Sequence, residues 1–507
     1  MKHFYKLLSL SLIVATYANS QETINAKLLD SVSQQPIAYA TISTSQNSGV
    51  ISNNNGDFVL YLKENLSDRD SLFIRCLGYE PKHFLIKKFT DSIITLSPKS
   101  IELKEVLVSN NIYSVEEIID KIKKNLNTNY DFSFSKSRLF YRSSEYSNIL
   151  KNSVNIKKST IPEFNQIFVD SLLLVMPKNA DVYTEILGDL YSETGNQNSQ
   201  KLDIIKASHL YDKNKEVSFE DLEEKFNKII KKHVKRDSYF KIKSGLFGIN
   251  TEIDSSFFET STSNDAKHTQ VIIEEKNKIE TERKKDFLNY RKSEISKIQH
   301  NSFIFEDSDM NFLEKNNRYN FKIEDYSFLN DDFVYKISFT PKRKEDYKGI
   351  IYVNTDDFAI IRIDYQNVKF LKNFNLLGLS YTHFLRKGTL IYYKKENNKY
   401  ALRYADTENG NKFGIDRPLK IIEKNKNTRG RRKQNELSSN IHFIISNKQK
   451  MELVVFDNLA ITEPEFINFI EKPKIKPVYL PKYDPDFWRG YNIIEPNQAI
   501  KDFKSMN

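Results

Sequence analysis

From residue 318 onwards the chain repeats one pattern, in which apolar and polar side chains alternate over short runs. In "RYNFKIE" (318–324), Tyr319, Phe321 and Ile323 alternate with polar residues. The runs of this kind are 318–324, 332–339, 349–354, 358–365, 389–394, 399–405, 440–446 and 451–456. The last six are close enough in pairs to form three hairpins. Because successive side chains of a strand point to opposite faces of its sheet, this period predicts an antiparallel meander with one apolar face.

The segment between Thr23 and Ser109 also contains short strand-like runs separated by turn residues. The order of its motifs resembles the carboxypeptidase regulatory-like domain, a small transthyretin-like β-sandwich at the front of many exported bacterial envelope proteins. The residues that carry this resemblance are Asp30, Pro36, Ile37, Ala40, Gly56, Asp57, Phe58, Gly78, Tyr79 and the run 103–108. The resemblance implies a β-sandwich over 21–109. It is to the accessory domain of such peptidases and not to the zinc-bearing one.

Helical patterns interrupt the strand pattern in three places. Ser114 and Glu117 form a capping box before an apolar stripe, which predicts a linker helix within 110–130. A second apolar stripe predicts a helix at about 215–237. The highly charged segment 264–286 is either a helix with a thin apolar stripe or a mobile insertion.

Residues 131–507 form the β-rich remainder, in which the polar start of 188–216 predicts a long loop. Three stretches resemble the uncharacterised region that follows the regulatory-like module in exported bacterial proteins; they are 239–248, 347–365 and 483–500. The hairpin array is also similar to the half-barrels that carry lipids or lipoproteins across the periplasm, a similarity of fold only. We therefore predict a mainly β protein: a transthyretin-like sandwich, a linker helix, and a large antiparallel meander or half-barrel-like sheet with covering helices.

Residues 1–20 have the three parts of a secretory signal peptide. Lys2 and Lys6 precede an apolar stretch at 7–15, and small residues precede a cleavage site after Ser20. This stretch is too short to span a bilayer, and no later run approaches the roughly 18 apolar residues of a membrane helix. We expect an exported protein, in the periplasm or on the periplasmic face of the outer membrane, without a transmembrane helix in the mature chain.

Motifs of the common enzyme classes are absent from the sequence. No histidine of the mature chain has Glu at its third following position, so the His-x-x-Glu pair of a zinc carboxypeptidase is missing. The single cysteine, Cys76, excludes an intramolecular disulfide and is predicted to be a small buried hydrophobe. The acid pairs Asp331-Asp332 and Asp356-Asp357 fall in predicted turns, where Asp is favoured for backbone reasons. We predict a non-enzyme with no catalytic residue, metal or cofactor; a hydrolase of unrecognised type is the alternative.

Positive charge is concentrated in two clusters, 231–236 and 429–433, within a chain of net charge +10. The remaining charges are spread along the chain, and an exported protein rarely meets nucleic acid, so we expect no nucleic-acid partner. We interpret both clusters as solvated surface, with an anionic lipid or polysaccharide face as the alternative.

The C-terminal strap, 478–507, contains the only tryptophan, Trp488, among other aromatic residues and prolines. This composition favours a tail anchored to the core by its largest side chain, and a carbohydrate-stacking platform is the alternative. The candidate ligand or partner surface combines the strap with the second basic cluster. Its residues are Tyr483, Phe487, Trp488, Tyr491, Arg429, Arg431, Arg432 and Lys433.

These patterns favour an exported, non-enzymatic binding or scaffold protein of the cell envelope. It would hold a hydrophobic ligand on its sheet, or an envelope partner such as an outer-membrane protein, lipid or polysaccharide. The alternative is an outer-membrane β-barrel or an accessory component of an uptake complex. Membrane strands need about 9–11 residues, whereas most of the runs here have six to eight.

Overall fold

The computed structural model describes residues 23–44, 49–62, 67, 69–99, 113–194, 199–235, 237–245, 247–252, 266–329, 332–427 and 432–505. The predicted signal peptide lies outside these residues. Strands account for 53% and helices for 18%, which confirms the predicted mainly β class. The chain divides into two compact units. No described helix has the length and apolar character needed to cross a membrane.

The first unit combines the described residues before Leu103 with 327–329 and 484–498. Its strands are β1 (Thr23–Asp30), β2 (Thr41–Thr44), β3 (Gly49–Ile51), β4 (Asp57–Tyr61), β5 (Ser71–Arg75), β6 (Lys82–Leu85) and β7 (Ile93–Leu96). They form two small sheets, in the orders β4-β1-β7 and β3-β2-β5-β6. Alternate side chains of β4 and β5 are buried, as a period of two requires. Cys76 is buried, as predicted.

Part of the C-terminal strap belongs to this first unit. Trp488 is only 3% exposed. The backbone N–H of Tyr61 donates to Asn492 Oδ1 at 2.8 Å, and Asn53 Nδ2 donates to the carbonyl of Glu495 at 3.3 Å. The strap is therefore anchored by its tryptophan and by hydrogen bonds to the first unit, as the sequence predicts.

The second unit contains most of the chain and one large sheet. Its long strands are β8 (Phe134–Ser159), β9 (Asn179–Glu193), β10 (Gln200–Leu210), β18 (Leu379–Lys394), β19 (Tyr400–Asn425) and β20 (Lys433–Ala460). Its shorter strands are β11 (Ser238–Ser244), β12 (Phe247–Glu252), β13 (Tyr319–Leu329), β14 (Asp332–Pro341), β15 (Tyr347–Asn354), β16 (Ile360–Asn367), β17 (Lys372–Leu376) and β21 (Val478–Leu480). The α-helices within the described residues are α1 (Val115–Asn129), α2 (Gln166–Val175), α3 (Asn214–His233), α4 (Ala266–His300), α5 (Glu463–Asn468) and α6 (Gln498–Lys501).

The large sheet follows the order β13-β14-β15-β16-β18-β19-β20-β8-β9-β10-β21, with β11, β12 and β17 paired beside this path. From β14 to β10 the neighbouring strands of this path are antiparallel, and β21 joins β10 in parallel. Within the described residues this path has two ends, so the sheet is open. α4 packs against β10, β19 and β20, and buries Leu288, Ile295 and Ile298. A helix therefore covers part of one face, as an amphipathic sheet requires.

Two of the three predicted hairpins are confirmed, as β15–β16 and β18–β19. The third is wrong, because 440–446 and 451–456 lie within the single strand β20. The polar residues between them continue the ladder, with Asn447 opposite Asn411 and Lys448 opposite Gly410. Local polarity indicated a turn, but cross-strand pairing along β19 decided the conformation.

The helix and loop predictions also have mixed outcomes. The predicted loop 188–216 is wrong, because most of its described residues belong to β9 and β10, which pair as an antiparallel hairpin. The charged segment 264–286 is helical from Ala266, within the 35-residue helix α4. The predicted helix near 215–237 is α3, which begins at Asn214 and ends at His233.

The linker helix α1 begins with the predicted capping box. Ser114 Oγ accepts from the backbone N–H of Glu117 at 3.3 Å, and Glu117 Oε2 accepts from the N–H of Ser114 at 2.8 Å. We expect Ser114→Ala to lower the free energy of unfolding of the second unit by about 1 kcal/mol, because it leaves a helical N–H without this acceptor. Urea unfolding measures the change, with Lys123→Ala on the exposed face of α1 as control. An equal decrease in the free energy of unfolding in both variants would contradict a capping role for Ser114.

Candidate functional site

A cavity of about 410 Å³ lies in the second unit, where α3 faces the ends of β19 and β20. Its lining is mainly aliphatic and aromatic. The lining residues are Ser159, Ile161, Phe164, Phe226, Asn227, Ile230, Val234, Phe240, Ile242, Thr251, Ile421, Glu423, Asn435, Glu436 and Leu437. Ligand sites in proteins have volumes of about 300–1,000 Å³ and are mostly apolar, so this cavity has the size and lining of one.

The floor of the cavity is formed by the strand period and register. Ile242 of β11 lies opposite Ile421 of β19, which lies opposite Leu437 of β20. Phe240 is two residues before Ile242, and side chains two residues apart share a face of the sheet. These four side chains therefore form one continuous apolar surface across three strands.

The opposite wall is formed by α3 and by the segment that follows β8. Phe226 and Ile230 are four residues apart in α3 and so share a helix face, and Val234 follows just past the end of the helix. The rings of Phe164 and Phe226 stack with centroids 5.2 Å apart. Ile161, Phe164, Ile230 and Val234 form one buried cluster. Phe226, Ile230 and Val234, which belong to the apolar stripe that predicted this helix, therefore line the cavity.

One end of the cavity is polar, and its carboxylates are held by protein groups. Glu423 is only 1% exposed. It accepts hydrogen bonds from Ser238 Oγ at 2.6 Å, Asn435 Nδ2 at 2.7 Å and the backbone N–H of Lys235 at 3.0 Å. Lys420 Nζ lies 2.8 Å from Glu436 Oε1. Since protein groups already pair with these carboxylates, the lining that remains for a ligand is mainly apolar.

A charged contact fastens the segment after β8 to the end of α3. Glu163 Oε1 lies 2.6 Å from Lys232 Nζ, and Glu163 Oε2 lies 2.7 Å from His233 Nε2. The hydrogen bonds from Lys232 and then from His233 lower the pKa of Glu163 to about 2. These contacts connect the two elements that form the wall opposite the sheet.

This contact predicts a pH dependence of stability. A carboxyl group whose pKa is lower in the folded state stabilises the fold above its ordinary pKa of 4.5, and this contribution is lost as the pH falls towards about 2. We expect Glu163→Gln to lower the thermal unfolding midpoint at neutral pH. The difference between the variant and the wild type should shrink between pH 4.5 and about 2. A difference in unfolding midpoint that stays constant from pH 4.5 to about 2 would contradict a stabilising role for the ionised Glu163 carboxylate.

A second cavity in the same unit is smaller, at about 80 Å³, and more polar. Tyr130, Asp131, Ser135, Gln200 and His300 are among its lining residues. Burial alone would raise the pKa of Asp131, but hydrogen bonds from Lys395 and Ser133 outweigh it and lower that pKa to about 2. This space suits a few water molecules and not an organic ligand.

None of the described residues of the sequence-predicted candidate surface lines the large cavity. Phe487, Trp488 and Tyr491 belong to the first unit and Tyr483 to the second. Arg429 and Arg431 lie outside the described residues. Arg432 is exposed, whereas Lys433 begins β20 and contacts the carboxylate of Glu436. As a ligand or partner surface, this set stays a prediction.

Sequence reasoning missed the cavity itself. Ile161 and Phe164 do not lie in a run with clear alternation, so no pattern indicates them. Phe240 and Ile242 alternate with Lys241 and Lys243, but over four residues only. The stretch 239–248 was noted only for its resemblance to other exported proteins. The alternation of β20 places Leu437 on an apolar face, but it does not indicate which other element packs against that face.

Comparisons by sequence identify no relative, since no family model and no curated protein matches the chain. Among solved structures, a LolA superfamily protein from Nitrosomonas europaea is similar over 71% of this chain and 99% of its own, at 8% identity and a TM-score of 0.19. A domain described as an outer membrane lipoprotein-sorting protein, from Vibrio parahaemolyticus, covers 70% and 97%, at 11% identity and a TM-score of 0.20.

The MucA/MucB complex of Pseudomonas aeruginosa provides a third similar chain, with 65% and 93% covered, 5% identity and a TM-score of 0.16. At TM-scores this low, none of the three similarities establishes a fold or a function for this chain. The cavity geometry has to carry the functional assignment.

Proposed function

We propose that this chain is a non-enzymatic binding protein of the cell envelope that holds an apolar ligand, such as an acyl chain, in the cavity beneath α3. The observation that carries the proposal is the 410 Å³ cavity with its aliphatic and aromatic lining. The exposed ring of Phe226 in the lining makes the cavity open to solvent. An apolar ligand that enters it removes apolar surface from water and gains dispersion contacts with the lining.

The envelope location rests on the sequence. Residues 1–20 have the form of a signal peptide, and export would bring the chain among lipids and lipid-bearing partners. The two small sheets of the first unit are compatible with the proposed regulatory-like module over 21–109. That module would act as an accessory to the binding unit and brings no catalytic residue.

The proposal is tested by titrating the purified mature chain with N-phenyl-1-naphthylamine, a neutral apolar probe whose fluorescence rises in dry surroundings. We expect saturable binding to the folded protein and displacement of the probe by acyl-chain lipids. Parallel titration in urea, beyond the unfolding transition, controls for non-specific binding. Absence of saturable binding by the folded chain would overturn the proposed function.

A further inference from the structure

The described residues of the two basic clusters, 231–235 and 432–433, lie at one place in the second unit, although almost two hundred residues separate the clusters in the sequence. Asn435 Nδ2 donates to the carbonyl of His233 at 3.1 Å. The backbone N–H of Lys426 donates to the carbonyl of Asp237 at 3.4 Å. The end of α3 and the ends of β19 and β20 therefore form one surface, beside the polar end of the cavity.

We call this surface the basic rim. Its exposed cations are Lys231, Lys232, Lys235, Lys426 and Arg432, and its half-buried cations are Lys420, Lys424 and Lys433. Its carboxylates are Glu163, Asp237, Glu423 and Glu436, of which Glu423 and Glu436 are buried. Among these residues, cations outnumber carboxylates, and the exposed groups are mainly positive. Such a surface attracts an extended anionic partner.

We propose that the basic rim binds the surface of an anionic lipid bilayer. Clusters of Lys and Arg adsorb to anionic headgroups by charge complementarity, and the attraction acts only near the bilayer surface. The rim adjoins the cavity, whose wall residue Phe226 is 45% exposed. An aromatic side chain beside a cationic surface suits the headgroup region.

The same geometry favours a bilayer over a soluble polyanion. An apolar ligand reaches a cavity from a lipid phase, and the rim would hold the cavity next to such a phase. This link to ligand exchange rests on the proposed function. Adsorption of the rim to the bilayer does not, because it needs no ligand in the cavity.

The test is co-sedimentation of the mature chain with vesicles. One set contains phosphatidylcholine with phosphatidylglycerol, and the other contains phosphatidylcholine alone. We expect binding to the anionic vesicles only. Raising the salt concentration from about 0.1 M to about 1 M shortens the Debye length from about 10 Å to about 3 Å and should release the protein.

The decisive variant is Lys235→Glu with Arg432→Glu, which reverses two exposed charges of the rim. We expect its partition onto anionic vesicles to fall by at least about tenfold. The matched control, Lys123→Glu with Lys124→Glu, reverses two exposed charges on α1 and should retain binding. Thermal unfolding of both variants verifies that they fold.

Three results would overturn the proposal: equal binding to both vesicle types, equal losses in the rim variant and the control, or binding to a soluble anionic polysaccharide without binding to vesicles. The last result would assign the rim to polysaccharide. Probe binding separates the two proposals, because the rim variant should bind N-phenyl-1-naphthylamine as the wild type does. Vesicle binding without any probe binding would support the rim and overturn the cavity's proposed role.

Discussion

Replacing Arg142 by methionine is expected to lower the free energy of unfolding of the second unit by about 3–5 kcal/mol. Arg142 lies in β8 and is only 1% exposed. Its Nε donates to Glu185 Oε1 at 2.7 Å, and its Nη1 lies 3.8 Å from Glu452 Oε2. Methionine has a similar length but no charge, so the variant leaves two buried carboxylates without this cation. Breaking a buried ion pair from one side is costly for that reason.

The stability lost in Arg142→Met should become smaller as the pH falls. Burial alone would raise the pKa of Glu452, but the charges of Lys450 and Arg142 outweigh burial and lower it. The wild type therefore gains stability from Glu452 above the ordinary pKa of 4.5 and loses it as the pH falls below that value. The stability gap between the wild type and Arg142→Met should narrow on acidification.

Arg138→Met is the matched control, because Arg138 lies four residues earlier on the same strand. Its side chain is 42% exposed and pairs with Asp189, which also lies 3.2 Å from Lys136 Nζ. Asp189 is only 9% exposed but keeps Lys136 as a partner when Arg138 is replaced. Arg138→Met should therefore cost less than Arg142→Met, about 1 kcal/mol. Urea unfolding, monitored through the transition of the second unit, measures both variants. A similar decrease in the free energy of unfolding in Arg142→Met and Arg138→Met would contradict a buried charge network around Arg142.

Replacing Leu437 by tryptophan is expected to weaken probe binding by at least about tenfold, because the indole ring would occupy the cavity. In a well-packed core, such an enlargement costs about 1–3 kcal/mol of stability. Here the ring enters existing space, so the variant should lose binding with little loss of stability. The fluorescence titration and urea unfolding together measure this combination.

Ile445→Trp provides the control for Leu437→Trp. Ile445 lies on the same strand and, eight residues away, on the same face of the sheet, but it does not line the cavity. This variant should bind the probe as the wild type does. Equal losses of binding in both variants would indicate that the probe binds elsewhere on the sheet.

The strands of the second unit could be predicted where one face is buried and the alternation is therefore strict. β15 and β16 are of this kind, with Ile351 and Ile363 paired and fully buried. The sequence did not predict two other strand regions, the polar part of β20 near Asn447 and the β9–β10 hairpin, because their polar residues have the composition of turns. In these places, backbone pairing with a long neighbouring strand determines the structure.

The cavity and the basic rim were beyond prediction for a different reason. Each combines segments that are far apart in the chain, such as Phe164, Ile230 and Leu437. Periodicity indicates which face of an element is apolar, but it does not indicate which other element packs against that face. The apolar stripe of α3 and the two charge clusters can be recognised in the sequence. Which segments pack against them in the folded chain cannot.

The most direct test of the central claim is to purify the mature chain from its own envelope without detergent, extract it with organic solvent, and analyse the extract by mass spectrometry. The account predicts acyl-chain molecules in an amount comparable to that of the protein, and their loss from Leu437→Trp but not from Ile445→Trp. An extract of the wild type without apolar molecules, from a chain that also fails to bind the neutral probe, would contradict it.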